Sequence, residues 1–225
     1  MLQLRVVRDG VAEVRTGGDL MADSSPEREE QESRLKTLSL WRAFGLEPGA
    51  ALPAAQLEAI ALPAAVHLVD SGDAFGHAMR DCLLGLGLDL GPHAPCRVLV
   101  GAGDTMAAGQ DRHLVAVGDA ALRLLGACGW PVVPHGPEHG RTLQCMTTAA
   151  APWRSDGPFT AARYASAALQ GGAVQPGWAA WALDENGQAA ALAHAGRRVV
   201  CLLFRPDSML SSPQALQLLR AALAF

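Results

Sequence analysis

One stretch restricts what this chain can fold into more than any other: HLVAVGDAALRLLGACGWPVV, residues 113–133. Residues 114–117 are an unbroken apolar run of strand length, as expected for a strand buried on both faces. Gly118 follows as a sharp turn. Residues 120–126 carry leucines at helical spacing, and Val132 opens another short strand. Strand, turn and helix in that order present the turn residue at a helix N-terminus. There, backbone N–H groups and the helix dipole favour developing negative charge. This is the layout of a nucleophile elbow. The residue at the turn is glycine, which has no side chain to attack with. The stretch has the frame of a catalytic centre and lacks the nucleophile.

The same grammar of alternating strands and helices runs from residue 65 onward. Residues 66–69 and 96–100 read as short apolar strands, and 74–86 as an amphipathic helix between them. Residues 141–150 and 178–183 read as strands of a smaller antiparallel part. The turn Asp184-Glu185-Asn186-Gly187 leads to a further strand at 189–193. A last buried strand at 198–204 and a closing helix at 213–225 complete the chain. The expected class is α/β: an open, mostly parallel, doubly wound sheet of flavodoxin-like type with helices on both faces.

The first 64 residues read differently. Alternating runs on either side of Asp9-Gly10 predict a β-hairpin. Ser25-Pro26 is an N-cap followed by proline at the first helical position, which predicts a helix over 26–44. Its apolar positions are Leu35, Leu38, Trp41 and Phe44, and its first turns hold Glu27, Glu29, Glu30 and Glu32. Pro48, Gly49, Pro53 and Pro63 mark 45–64 as a linker. The expected domains are therefore 1–44 and 65–225, with no internal repeat.

Composition excludes several classes. The 225 residues are half apolar with a net charge of −4, so there is no basic footprint for nucleic acid and no polybasic patch for a membrane. No apolar run is long enough to span a bilayer, and the first residues lack a signal-peptide layout. Five scattered cysteines read as buried thiols in a reducing cytoplasm. Self-association is left open.

Residues 65–225 resemble the class I glutamine amidotransferases, closest to the anthranilate synthase type. VHLVDSGDAFGHAMRDCL is similar to the family's first strand and helix, with Asp70, Asp73 and Phe75 at the places of its Asp-Asn-x-Asp-Ser-Phe element. LVGAGD (99–104), with Gly101 and Gly103, stands where the family has its oxyanion loop. The stretch from Ala116 matches, without gaps, the elbow Gly-Val-Cys-Leu-Gly-His-Gln. EHGRT (138–142) resembles Met-His-Gly-Lys-Thr, RYAS (163–166) resembles Arg-Tyr-His-Ser, and FRPDS (204–208) resembles Phe-His-Pro-Glu-Ser. Six elements in the family's order make the match specific.

The departures matter as much. The resemblance puts the nucleophilic cysteine on Gly118, the catalytic histidine on Arg205 and the orienting acid on Asp207. That chemistry needs a thiolate, an imidazole base and a carboxylate to orient the base. A guanidinium cannot act as the base near neutrality. Cys128 lies about 15 Å along the helix at 1.5 Å per residue, too far to substitute. The degenerate triad implies a module unable to hydrolyse glutamine.

Residues 1–44 resemble the end of chorismate-utilising synthases: RTGGDLMADSSPEREEQESRLK is similar to the family's Arg-Ala-Gly-Ala-Gly-Ile and Ser-x-Pro-x-x-Glu-x-x-Glu-x-x-x-Lys elements. The resemblance implies that Glu29 and Glu32 bind Mg²⁺ in a complete synthase domain. It implies too that Gly17, Gly18 and Lys36 contact substrate there, with no cofactor for this chain alone. Positions 29, 32 and 36 do share one helix face. Without that context, an acidic first helical turn is a solvated face that complements the dipole. The order of the two parts is that of a fused anthranilate synthase or a phenazine-type relative. The expected function is a C-terminal piece of such a lyase in tryptophan or related aromatic biosynthesis, partnered with a chorismate-binding domain in cis or as a separate chain. The alternative is a stand-alone pseudo-amidotransferase that pairs with or regulates another synthase. A pocket repurposed around Arg205, Asp207 and Asp119 is a third reading.

Plainer assignments stand beside these. Gly101 and Gly103 fit a simple turn after a strand, since no Gly-Lys-Ser/Thr follows to cradle phosphate. His135, His139, Cys128 and Cys145 fit no zinc spacing. Arg205 reads as a salt-bridge partner of Asp207 or Asp104 before it reads as an anion-binding residue.

Overall fold

A computed structural model describes residues 2–7, 11–16, 59–101, 113–171, 174–208 and 210–225. The chain divides into two units, 1–56 and 57–225. In the first, β1 (Leu2–Val7) and β2 (Val11–Thr16) form the expected antiparallel hairpin, with Leu2 opposite Thr16 and Val7 opposite Val11. The helix read at 26–44 lies outside the described residues, as do Gly17, Gly18, Glu29, Glu32 and Lys36.

The second unit is built on one nine-stranded sheet in the order β4-β3-β5-β6-β11-β10-β9-β7-β8. Its parallel half comprises β4 (Asp89–Leu90), β3 (Ala65–Val69), β5 (Cys96–Val100), β6 (His113–Val117) and β11 (Val199–Leu202). The antiparallel extension continues from β11 through β10 (Ala189–His194), β9 (Ala179–Asp184), β7 (Val132–Thr147) and β8 (Phe159–Leu169). Central β6 has all five residues buried, the burial that an uninterrupted apolar run predicts.

Side chains of a strand alternate between faces, and here the two faces have separate cores. Val115, Val117, Val200 and Leu202 meet Met79 and Leu83 of α1 (Ala74–Gly85) and Leu218 and Leu219 of α3 (Pro213–Leu223). Leu114, Ala116 and Cys201 meet Leu122 and Leu125 of α2 (Asp119–Ala127) on the other side. Helices thus cover both faces, as a doubly wound sheet requires. Each helix starts where local chemistry allows it. Asp73 caps α1 by accepting a hydrogen bond from the Gly76 amide at 2.9 Å, and proline opens α3 after Ser212.

Two strand boundaries differ from the sequence reading, and one strand has no counterpart in it. The strand expected from 141 starts at Val132 and runs 16 residues, because pairing with β8 carries it across a run of glycines and prolines. β8 itself has no strand signal in the sequence. Its alanines together with Arg163, Tyr164 and Ser166 hide the period of two, and its order comes from its neighbour. The last parallel strand ends at Leu202 rather than 204, where the chain turns so that the Leu203 amide donates to Ala190 and the Arg205 amide to Ala162.

β6 opens with a histidine that is only 3% exposed. Burial first, and the positive charge of Arg198 second, push the His113 imidazole from 6.5 down to about 4. The unfolded chain therefore binds a proton in this interval that the native state refuses. His113 costs nothing above about pH 6.5, and its penalty grows as pH falls toward 4. Urea unfolding at pH 7 and pH 4.5 should show wild type losing on the order of 2–3 kcal/mol more than His113→Gln.

Candidate functional site

Gly118 sits between β6 and α2 with φ 61° and ψ −129°. These are the angles of the first central residue of a type II′ turn, a region hostile to side chains of L-residues. Its amide donates to the Leu202 carbonyl at 2.8 Å, tying the turn to β11. Its carbonyl accepts from Ala121 at 3.0 Å and from Leu122 at 3.2 Å, starting the helix. The next residue, Asp119, reaches to β8. Its carboxylate accepts from the amide and the hydroxyl of Ser166, both at 3.3 Å.

Arg205 lies across the crevice. Its backbone is pinned, with the amide donating to Ala162 at 2.7 Å and the carbonyl accepting from Ser211 Oγ at 2.7 Å. Its side chain is 5% exposed and that of Asp207 is 1% exposed. Nε donates to Asp207 Oδ1 at 2.8 Å and Nη2 to Oδ2 at 2.5 Å. Nη2 also donates to the Phe75 carbonyl at 2.7 Å, and the guanidinium carbon stands 4.8 Å from the centre of the Phe75 ring. A Cβ added to Gly118 would lie 3.4 Å from Arg205 Cδ. The arginine stem therefore stands in van der Waals contact with the position a side chain at 118 would start from, and its charge is satisfied by a bidentate carboxylate. Asp207, one of the two partners read from the sequence, binds Arg205. Asp104 lies outside the described residues.

The turn at the end of β5 touches the turn before α1. Gly101 has φ 79°, and a Cβ there would stand 2.2 Å from Ser71 Oγ, so only glycine fits. Ser71 donates to Asp73 at 2.7 Å, and that hydrogen bond, before all other causes, holds the Asp73 carboxyl below its ordinary range. Asp70 accepts from the Gly72 amide at 2.8 Å. The Asp70–Asp73–Phe75 element is thus a self-bonded turn that delivers the Phe75 ring and carbonyl to Arg205. Gly103 lies outside the described residues.

EHGRT and RYAS face each other on β7 and β8, with Glu138 opposite Ala165 and Arg141 opposite Arg163. A register shift between His139 and Arg141 accompanies Gly140 at φ 73°. Glu138 pairs with Arg141 at 2.7 Å and with Arg163 at 2.8 Å. The second contact is off the hydrogen-bond axis and is an ion pair only. Tyr164 sends its ring edge-on to Phe75, centroids 5.4 Å apart, and its hydroxyl to Ser208 Oγ at 3.5 Å. Four separate sequence elements therefore converge, through Phe75, Gly118, Tyr164 and Arg205. Ser166 meets Asp119 only through the fold, 47 positions away in sequence, whereas Ser71 bonds Asp73 two positions on.

All five cysteines are free thiols. Cys128 caps the far end of α2 and receives a 3.7 Å contact from Arg197. Burial pushes the Cys96 and Cys145 thiols up to about 12, and those of Cys82 and Cys201 higher still, so none of these four is a thiolate near neutrality. Among the described residues no cluster of three or more His, Cys, Asp or Glu could hold a metal ion, and no helix is long and apolar enough to cross a membrane.

No family model matches the sequence, and no curated protein matches it. Solved structures do. A candidate GMP synthase subunit from Thermoplasma acidophilum superposes with a TM-score of 0.57 at 13% identity, over 73% of this chain and 94% of the other. The PurLQS structure from Thermotoga maritima gives 0.52 at 11%, over 72% and 98%. A glutamine amidotransferase from Thermotoga maritima gives 0.50 at 7%, over 69% and 80%. The fold is that of class I glutamine amidotransferase-like α/β proteins.

Two substitutions probe this geometry. Gly118→Ala should cost about 1–3 kcal/mol, because the backbone angles resist any Cβ. Asp207→Ala should cost about 3–5 kcal/mol by leaving a buried guanidinium uncompensated, whereas the double change Arg205→Met with Asp207→Leu should cost less than Asp207→Ala alone. Denaturant titration of the purified variants reads both.

Proposed function

We propose that this chain is an amidotransferase-like module without glutaminase chemistry, which serves as a structural or docking partner of a chorismate-utilising synthase. The observation that carries the reading is the pair of residues facing each other at the elbow. Position 118 is a glycine held at a backbone geometry suited to it, and Arg205 lies against it with its charge bound to Asp207. Attack on a carboxamide needs a nucleophile and a group that takes its proton. Glycine cannot be the first, and a guanidinium cannot be the second.

The synthase partner rests on the sequence of residues 1–44. Its Gly17-Gly18 loop and helix with Glu29, Glu32 and Lys36 resemble the end of a chorismate-binding domain. In that reading the chain is the C-terminal part of an anthranilate-synthase-like protein. Glu29 and Glu32 would then hold Mg²⁺ as hard carboxylate ligands when the rest of that domain is present, and Gly17, Gly18 and Lys36 would contact the substrate. Amination would draw on free ammonia or on a separate glutaminase. A stand-alone pairing partner of another synthase is the second reading, and the apolar stripe Leu35, Leu38, Trp41, Phe44 supports a docked helix in both.

The purified chain should release no glutamate from glutamine above a heat-killed control, and Gly118→Cys alone should not confer release, since the new thiol would face Arg205 rather than a base. Glutamate release by the wild-type chain overturns the reading. Co-purification with a chorismate-binding synthase chain, lost when residues 26–44 are removed, supports the docking role.

A further inference from the structure

Asn186 is the only asparagine among the 225 residues, and glycine follows it. Asn-Gly is especially open to one spontaneous reaction, because glycine puts no side chain in the path of its own nitrogen. The Gly187 nitrogen attacks Asn186 Cγ, a C–N bond forms, and the Cγ–Nδ2 bond breaks. The Gly187 amide proton leaves with Nδ2 as ammonia. Water then opens the cyclic imide at either carbonyl, which gives aspartate or isoaspartate at 186. Neither an oxidant nor a cofactor takes part.

The turn that carries this pair joins β9 to β10. The Asp184 amide donates to the Gln188 carbonyl at 2.8 Å, and the Gly187 amide donates to the Asp184 carbonyl at 2.9 Å. Gly187 has φ 73°, whereas Arg198 is the only non-glycine residue with positive φ among the described residues. Glu185 and Asn186 therefore have negative φ, which leaves a type I turn closed by a glycine bulge. Asp184 clamps it further, since its Oδ1 accepts from the Asn186 amide and from the Gln188 amide, both at 2.9 Å. Glu185 ties the turn to β7, its Oε2 accepting from the Gln144 amide at 2.8 Å.

These bonds oppose ring closure directly. At the third residue of a type I turn ψ is about 0°, and the Gly187 nitrogen then stands away from the Asn186 side chain. Cyclisation swings the Asn186–Gly187 peptide toward that side chain and takes the Gly187 amide off the Asp184 carbonyl. The N–H that must give up its proton is the one donated there. Asn186 is exposed, so water and base reach it, and the hydrogen-bonded turn is what holds it shut.

We propose that Asn186–Gly187 is a latent modification site, closed in the folded chain by the Asp184-clamped turn and open to deamidation whenever the β9–β10 turn comes apart. A chain modified while open closes imperfectly. The new carboxylate joins those of Asp184 and Glu185 on one turn, and isoaspartate lengthens a backbone whose hydrogen bonds fix its length. Deamidation at 186 thus records past opening of this hairpin. The site is independent of the Gly118–Arg205 crevice.

The test incubates the full chain at mildly alkaline pH and follows the peptide holding residue 186 by mass spectrometry, with isoaspartate counted separately. The folded chain should deamidate about tenfold more slowly than the same chain in urea, because reaction waits on opening. Hydrogen exchange at the Gly187 amide of the folded chain should be slowed to match. Asp184→Ala should speed deamidation of the folded chain about fivefold, and Asp184→Asn, which keeps an accepting oxygen, should stay near wild type. Thermal melts establish that both variants are folded. The proposal is overturned by equal rates in the folded and urea-unfolded chain, by unprotected exchange at Gly187, or by a folded Asp184→Ala chain that reacts no faster than wild type.

Discussion

One buried guanidinium organises the C-terminal end of the parallel sheet. Removing a charge from water is tolerable only when its partners are close and well aligned, and Arg205 at 5% side-chain exposure has little water left. Asp207 neutralises it, the Phe75 carbonyl accepts from it and the Phe75 ring lies beneath it. Its side-chain partners come from two parts of the chain, and a third holds its backbone. The start of α1, the loop after β11 and, through Ala162, strand β8 must all reach their places for the charge to be satisfied. Loss of any of these contacts weakens the rest.

The same pair fills the crevice beside the turn at Gly118. An elbow concentrates amide donors and the positive end of a helix where negative charge develops. Here the frame persists: strand, turn angles and helix are all in place around Gly118. What fills it is a cation already bound to its own carboxylate, beside a turn without a side chain. The electrostatics there are internally satisfied.

Likeness of fold and likeness of chemistry separate here. Structures sharing 13% identity or less overlay most of this chain, because a doubly wound sheet depends on burial pattern and not on residue identity. Buried β6 with Leu122 and Leu125 behind it and Leu218 and Leu219 on the opposite face satisfies that pattern.

The sequence by itself determined the parts whose signal is local. The apolar run before Gly118, the Asp73 cap, the Ser212-Pro213 helix start and the hairpin around Asp9-Gly10 each owe their form to residues within a few positions of one another. The absence of a cysteine at 118 and of a histidine at 205 was equally legible, since a missing functional group needs no coordinates. Strand β8 and the length of β7 were decided only by tertiary structure, because strand pairing is a contract between distant segments and an alanine-rich strand advertises no period. The choice of Asp207 as partner of Arg205 and the closeness of Ser71 to Gly101 also needed the fold. These depend on which side chains share a volume, and burial sets the energy of a charge or a lone pair only once that volume exists.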